Sequence, residues 1–242
     1  MALLTFALFI TLAMWGSAMN FYFQYNVDQK SLYDFLSYFI TLEEDEAYSM
    51  GFSAFNMMGA FVQFMGVICL SRYLANKHGK KKTFIVCLSM TAFFTAMFYI
   101  PSPTDVSLMF VLNFLRSLAY APTIPLLWAM IGDVADHIEY ESHRRATGFC
   151  FSGIILALKL GLGFGGAIAG IIISMFGYVS GNVSIQNESA MEGIRLVSSL
   201  VPALLFCVGV MALYFYPISK EYNENMQAEL AARRKRALAT TE

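Results

Sequence analysis

A lysine, Lys159, stands in the middle of the run FSGIILALKLGLGFGGAIAGIIISMF. A lysine in so apolar a stretch costs roughly 2.5–3.5 kcal/mol to bury at the centre of a bilayer, so something must compensate it. Upstream, Asp133, Asp136 and Glu139 recur at every third residue and therefore share a helix-end face; Arg144 and Arg145 follow within a turn or two. Two readings of this charged stretch stand side by side. It is a solvated loop, or it is a gate whose acidic and basic groups lock one face of the protein in one state and part in another. The spacing Asp133-x-x-Asp136 would also suit a metal acting on a phosphorylated lipid. Two arginines crowd that pair and no second acidic cluster supports it, so enzyme chemistry is not expected.

Further polar groups recur at helical spacing. Ser152, Lys159, Gly163, Gly166 and Gly170 form one face, and Gly161/Gly165 and Gly166/Gly170 give two GxxxG pairs. Lys159 is accordingly expected to point at a packed neighbour or an internal cavity. Asn113, Arg116, Tyr120 and Thr123 share another face, and Pro122 and Pro125 interrupt the helix by removing donors. Arg116 lies deep in its segment and is read as facing the interior. Trp128 is open to two readings, an interface-belt tryptophan or a sugar-stacking platform. Ser17, Asn20 and Gln24 make a third stripe, and Asn56, Gly59, Gln63 and Gly66 a fourth. One such stripe would be interhelical hydrogen bonding. Several in one bundle favour the polar wall of a cavity.

The elements that must position these residues are membrane helices. The chain is 57% hydrophobic and 14% charged, against about 25% charged in soluble proteins. Its mean hydropathy is +0.57. That makes it an all-α polytopic membrane protein in contact with the lipid bilayer, and nothing in it suggests nucleic-acid binding. Six segments approach the ~20 apolar residues of a span: 2–26, 49–71, 83–100, 105–131, 146–176 and 194–216. Together they make a transmembrane unit over 1–217, followed by a polar tail over 218–242. The amino-terminal run lacks the positive region of a signal peptide and is read as the first span. Arg72, Lys77, Lys80, Lys81 and Lys82, then Arg144 and Arg145, then Lys220 and Arg233 to Arg236 put the basic loops, the tail and both termini in the cytoplasm. Glu43 to Glu46 then face outside.

Other motifs carry less. Cys69, Cys87, Cys150 and Cys207 have no metal spacing and read as small core residues, and His78, His137 and His143 have no helical partner for a metal. Gly161-Leu162-Gly163-Phe164-Gly165-Gly166 satisfies GxGxxG but lies inside a span without the strand that a dinucleotide site needs. No cofactor is expected. Asn182 and Asn187 open sequons on the predicted outer side.

The basic hairpin SRYLANKHGKKK resembles the signature loop of the major facilitator superfamily. Its core reads Asn76-Lys77-His78-Gly79-Lys80-Lys81, with Asn76 where that family has an aspartate. PLLWAMIGDVADHIEYESHRRATG, then LKLGLGFGGAIAG and FGY, resemble the glycoside–pentoside–hexuronide:cation symporters, the melibiose-carrier branch of that superfamily. The likeness extends over essentially all of 1–220 and is to the C-terminal six of twelve helices. It implies symport of a small sugar or glycoside with Na+, Li+ or H+ by alternating access. It also implies that Lys159 lies near the sugar and cation sites, that Asn20 and Gln24 line the central cavity, and that Asp133 to Arg145 close the cytoplasmic side. The family's coupling carboxylates belong to the N-terminal half, and this chain has no membrane-embedded acid to replace them. The position four before the lysine, often polar in that family, is Ile155.

Two functional classes follow. One is the C-terminal half of a sugar:cation symporter of the plasma (bacterial inner) membrane, working with an N-terminal six-helix half. The other is a non-transporting membrane protein, truncated or serving as an assembly subunit. A homodimer is geometrically conceivable but would bring two Lys159 cations together without carboxylates.

Overall fold

A computed structural model of the chain describes residues 1–142, 147–181 and 186–239, with the side chains of 234 and 236–239 excepted. Every regular element among the described residues is helical, as apolar chains in lipid require, since a helix satisfies its backbone polar groups within itself. The helices are α1 (Ala2–Phe21), α2 (Gln29–Ser37), α3 (Ala47–Gly66), α4 (Arg72–His78), α5 (Lys80–Met97), α6 (Val106–Tyr120), α7 (Thr123–Ser142), α8 (Thr147–Met175), α9 (Glu188–Ser198), α10 (Leu200–Tyr214) and α11 (Lys220–Ala239). A turn of π-helix, Tyr22–Asn26, extends α1, and another, Val67–Ser71, joins α3 to α4.

Among the described residues five continuous stretches are long and apolar enough to cross a membrane: Ala2–Asn26, Glu44–His78, Val106–Ser142, Thr147–Met175 and Glu188–Tyr214. The segment expected at 83–100 is α5, which begins with Lys80, Lys81 and Lys82. Those three cations leave it short of the ~20 apolar residues of a full span, yet it is packed between α10 and α6 as a member of the same bundle.

The structure adds detail to three expectations. The stretch 105–131 divides into two helices at the interruption expected of Pro122 and Pro125. Pro122 ends the first, while Pro125 sits in the first turn of α7, where no N–H partner is required. The charged stretch beyond 131 is helical as far as Ser142, so Asp133, Asp136 and Glu139 ride on α7. The polar tail carries structure of its own. Lys220–Ala239 is a helix, and Met226 and Leu230 are each 2% exposed. Tyr222, Met226 and Leu230, four apart, form the stripe it buries.

The basic hairpin is helix almost throughout. It turns on Gly79 alone, at φ +83°, where a Cβ would also approach the Lys220 side chain to 3.2 Å. On the opposite side of the bundle α2 is capped by Asp28, whose carboxylate accepts the Ser31 amide at 2.9 Å and its hydroxyl at 2.6 Å. These two bonds hold the Asp28 carboxyl below its usual range.

α1 is the hub. It packs along α8 and α10, while α5 lies between α10 and α6, and α3 lies on α6. One core cluster gathers Trp15, Phe23, Phe55 and Phe98. A second, toward the basic hairpin, gathers Leu4, Leu8, Phe84, Leu127, Met130 and Phe206. α8 meets α1 through Ile154, Ala157, Gly161, Gly165, Ala169 and Ile173. A Cβ at Gly161 would lie 2.9 Å from the Ile10 amide and the Phe6 carbonyl oxygen, and one at Gly165 would press on Ile10. Only glycine allows so close an approach of two helix backbones. The second expected pair packs at one member only: a Cβ at Gly166 would lie 3.4 Å from the Ser17 hydroxyl, whereas one at Gly170 meets nothing within 4 Å.

Candidate functional site

The cleft that draws the polar stripes together is bounded by α1, α3 and α6. It encloses about 340 Å³ and is lined by Trp15, Gly16, Asn56, Gly59, Gln63, Asn113, Arg116, Ser117 and Tyr120, with apolar neighbours. α6 supplies Asn113, Arg116, Ser117 and Tyr120 because residues three and four apart share a helix face. Gly59 lets α3 come close: a Cβ there would lie 3.1 Å from both the Asn113 amide nitrogen and the Ser117 hydroxyl. Asn113 is fixed by donating to the Phe55 carbonyl at 2.8 Å, and Asn56 by donating to the Phe52 carbonyl at 2.9 Å.

Arg116 is the charged group of this cleft. It is 7% exposed, and its guanidinium carbon stands 3.7 Å from the centroid of the Trp15 ring. A desolvated cation over tryptophan gains on the order of 2 kcal/mol. The stacking does not satisfy its donors, and Nε is buried without a hydrogen-bond partner. No carboxylate is among the lining residues. The cleft therefore presents an unneutralised cation, an aromatic face, and amides and hydroxyls, a set suited to holding a polyhydroxylated or acceptor-bearing molecule.

The other residues expected at a cavity lie outside this cleft. Asn20 is exposed one turn beyond Gly16 on α1 and accepts the Tyr48 hydroxyl at 2.7 Å. Gln24 is exposed in the π turn that follows. Trp128 is 38% exposed on α7. Lys159 is exposed on α8, and among the described residues it has neither a hydrogen bond nor an ion pair. Its face is turned away from α1. The packed glycines are Gly161 and Gly165, nearly half a turn round the helix from Lys159, whereas a Cβ at Gly163 would meet nothing within 4 Å. Exposed α8 thus divides into a bulky apolar arc, with Leu156, Leu160, Phe164 and Ile171, and a small polar arc with Ser152, Lys159, Gly163 and Gly170.

At the basic end a second polar centre ties five elements together, α4, α5, α7, α10 and α11. Asp133, 6% exposed, receives Lys80 at 2.7 Å on both carboxylate oxygens and Asn223 at 3.2 Å. Lys81 donates to the Tyr214 and Tyr216 carbonyls at 3.2 and 2.5 Å, closing the end of α10, and Lys220 donates to the Asn76 carbonyl at 2.9 Å. Lys77 lies over the Tyr73 ring. On α7, Asp136 accepts Gln227 at 2.6 Å, His137 bonds the Tyr222 hydroxyl at 3.0 Å, and Glu139 is half-buried. Arg144 and Arg145 lie outside the described residues. The charge expected to be gathered by those arginines is met, for Asp133, by Lys80 of the hairpin.

Trp15, Asn223 and Gln227 went unnoticed in the sequence. The pairing of Trp15 with Arg116 has no local signal, because about a hundred residues separate them. The docking of α11 did have one, the four-residue spacing of Tyr222, Met226 and Leu230.

Similarity to known proteins runs along most of the chain. The family described as MFS/sugar transport protein matches residues 1–220. Among curated proteins, the putative glycoside/cation symporter YagG of Escherichia coli is 29% identical over 74% of this chain and 39% of its own length. The inner membrane symporter YicJ of the same organism is 27% identical over 73% of this chain and 40% of its own. The isoprimeverose transporter of Lactiplantibacillus pentosus is 34% identical over 39% of this chain and 19% of its own. The chain thus spans about two-fifths of the length of the first two.

Proposed function

The chain belongs to the MFS/sugar transport protein family, as a member of its glycoside–pentoside–hexuronide symporter branch, and from that premise we propose that it forms the C-terminal half of a cation-coupled sugar symporter. It is an integral membrane protein and a sugar transporter by family. The half-transporter assignment, the coupling ion and the orientation are our reading.

The observation that carries it is the cleft around Arg116 and Trp15. A deep cation with an unpaired donor, stacked on an aromatic ring and ringed by amides, is costly in a membrane unless something occupies the space beside it. Functionally, Trp15 offers a platform for a sugar ring, while Asn56, Gln63, Asn113 and Tyr120 offer hydrogen bonds to hydroxyls. The polar arc of α8, with Lys159 exposed and unpaired, supports an N-terminal six-helix half docking there and bringing the carboxylates that this chain lacks. Na+, Li+ or H+ would bind at a site supplied mostly by that half.

Lys80, Asp133 and Asn223 join elements of one half to each other, so they brace it as a rigid unit during rocking. The end of α7 with Glu139, followed by Arg144 and Arg145, is the proposed gate toward the other half. Both termini and the lysine-rich end would face the cytoplasm.

The test is uptake of a labelled glycoside by membrane vesicles holding this chain alone, or this chain with an N-terminal half. Cation-dependent accumulation in the paired preparation, absent in the single one, is expected. Accumulation by the chain alone would overturn the half-transporter reading, and none in either, with both chains inserted, would favour the non-transporting subunit.

A further inference from the structure

Two cavities outside the cleft around Arg116 both take part of their lining from α5. The first is an apolar groove of about 480 Å³ between α5 and α10, lined by Ser89, Ala92, Phe93, Ala203, Leu204 and Met211 among others. The second is a cleft of about 420 Å³ at the basic end of α5, between it, the end of α4 and the start of α11. It is lined by Lys77, His78, Lys81, Lys82, Lys220 and the single carboxylate Glu221, together with Gly79 and Ser219. Lys81, in the wall of the cleft, donates to the Tyr214 and Tyr216 carbonyls and so ties the cleft to the end of α10.

Register connects them. Lys82, Ser89, Phe93 and Ala96 are seven, four and three apart on α5, which places them on one face of that helix. At 1.5 Å per residue the groove begins roughly 10 Å from Lys82 and ends roughly 21 Å from it, about the depth of one leaflet with its headgroup. Tyr214 and Phe215, 68% and 86% exposed, stand at the end of α10 to which Lys81 is tied. Exposed aromatics at such a level mark the membrane–water boundary. Lys77 and Lys82 are both exposed and have no ion pair among the described residues.

A soluble anion would use the lysines and leave the groove unexplained. An ordinary acyl chain would use the groove and leave four lysines against one carboxylate unexplained. We propose that the path holds one anionic glycerophospholipid of the leaflet at the basic end, with its phosphate in the lysine cleft and one acyl chain between α5 and α10. The lipid then clamps the hairpin to the end of α10. The proposal requires a membrane protein but neither sugar transport nor a particular orientation.

The experiment titrates the detergent-purified chain with phosphatidylglycerol, or with phosphatidylcholine of the same acyl chains, and counts retained lipid by native mass spectrometry. One phosphatidylglycerol should be held at least tenfold more tightly than phosphatidylcholine. Lys77→Gln with Lys82→Gln should weaken it about thirtyfold, from the attraction that each lysine near an anionic surface supplies. Ser89→Phe, which fills the groove and leaves the cations intact, should weaken both lipids. Circular dichroism melts confirm that each variant is folded. Equal retention of the two lipids, unchanged binding by the folded lysine variant, or competition by glycerol 3-phosphate as effective as by the lipid would each overturn the proposal.

Discussion

Arg116 and Asp133 show two ways of keeping a charge where water is scarce. Arg116 spreads its charge over the Trp15 ring and leaves one donor open. Asp133 receives a bidentate lysine and an amide. Replacing Arg116 by Gln should weaken sugar binding in the assembled transporter by about thirtyfold, the loss of a charged hydrogen-bond donor worth about 2 kcal/mol. Arg116→Lys should fail to restore it fully, since an ammonium cannot reproduce the planar stack. Intrinsic fluorescence measures this, because Trp15 is the stacked ring. Lys80→Met should lower stability on the order of 2 kcal/mol. That is below the ~3–5 of a fully buried pair because Lys80 keeps about a third of its side chain in water. Adding Asp133→Leu should recover part of that loss in a thermal melt, and no recovery would show that the carboxylate's burial is not the cause. Lys159→Ala should change sugar or cation affinity in the paired transporter while leaving membrane insertion intact. Unchanged affinities would reduce Lys159 to a structural residue.

Among elements, the α1–α8 contact rests on glycine, and its two faces make opposite predictions. Gly165→Ala forces a methyl onto Ile10 and should cost about 1–3 kcal/mol. Gly163→Ala, two residues away and open within 4 Å, should be near neutral in the same melt. The cap of α2 adds a pH dependence. Asp28 has a folded pKa below its ordinary value, so its contribution is present above that ordinary value and is lost as pH falls through the depressed one. Asp28→Ala should cost about 1 kcal/mol at neutral pH, and the gap from wild type should close in acid. Where elements begin and end was only partly legible. Pro122 announced the break in α6–α7, because a missing N–H is a property of one residue. The continuation of α7 to Ser142 was hidden, because its charges read equally well as a loop until α11 and Lys80 pair with them.

For the whole molecule, the proposed N-terminal half would meet the exposed polar arc of α8. Deleting α11 from residue 220 onward removes Asn223 and Gln227 together with the buried stripe at Met226 and Leu230, and so uncovers the part of α7 on which α11 packs. The shortened chain should still insert, but limited proteolysis should cut it faster at the end of α7. The sequence by itself determined that this is a helical membrane protein of a sugar-transport family. Hydropathy over a span and a motif in one stretch are properties of neighbouring residues, so they survive without coordinates. The partners were decided elsewhere: Trp15 for Arg116, Lys80 for Asp133, and Ile10 for Gly165. These pairs lie far apart along the chain, so no periodicity records them. Helix packing brought them together, and the same packing left Lys159 facing outward.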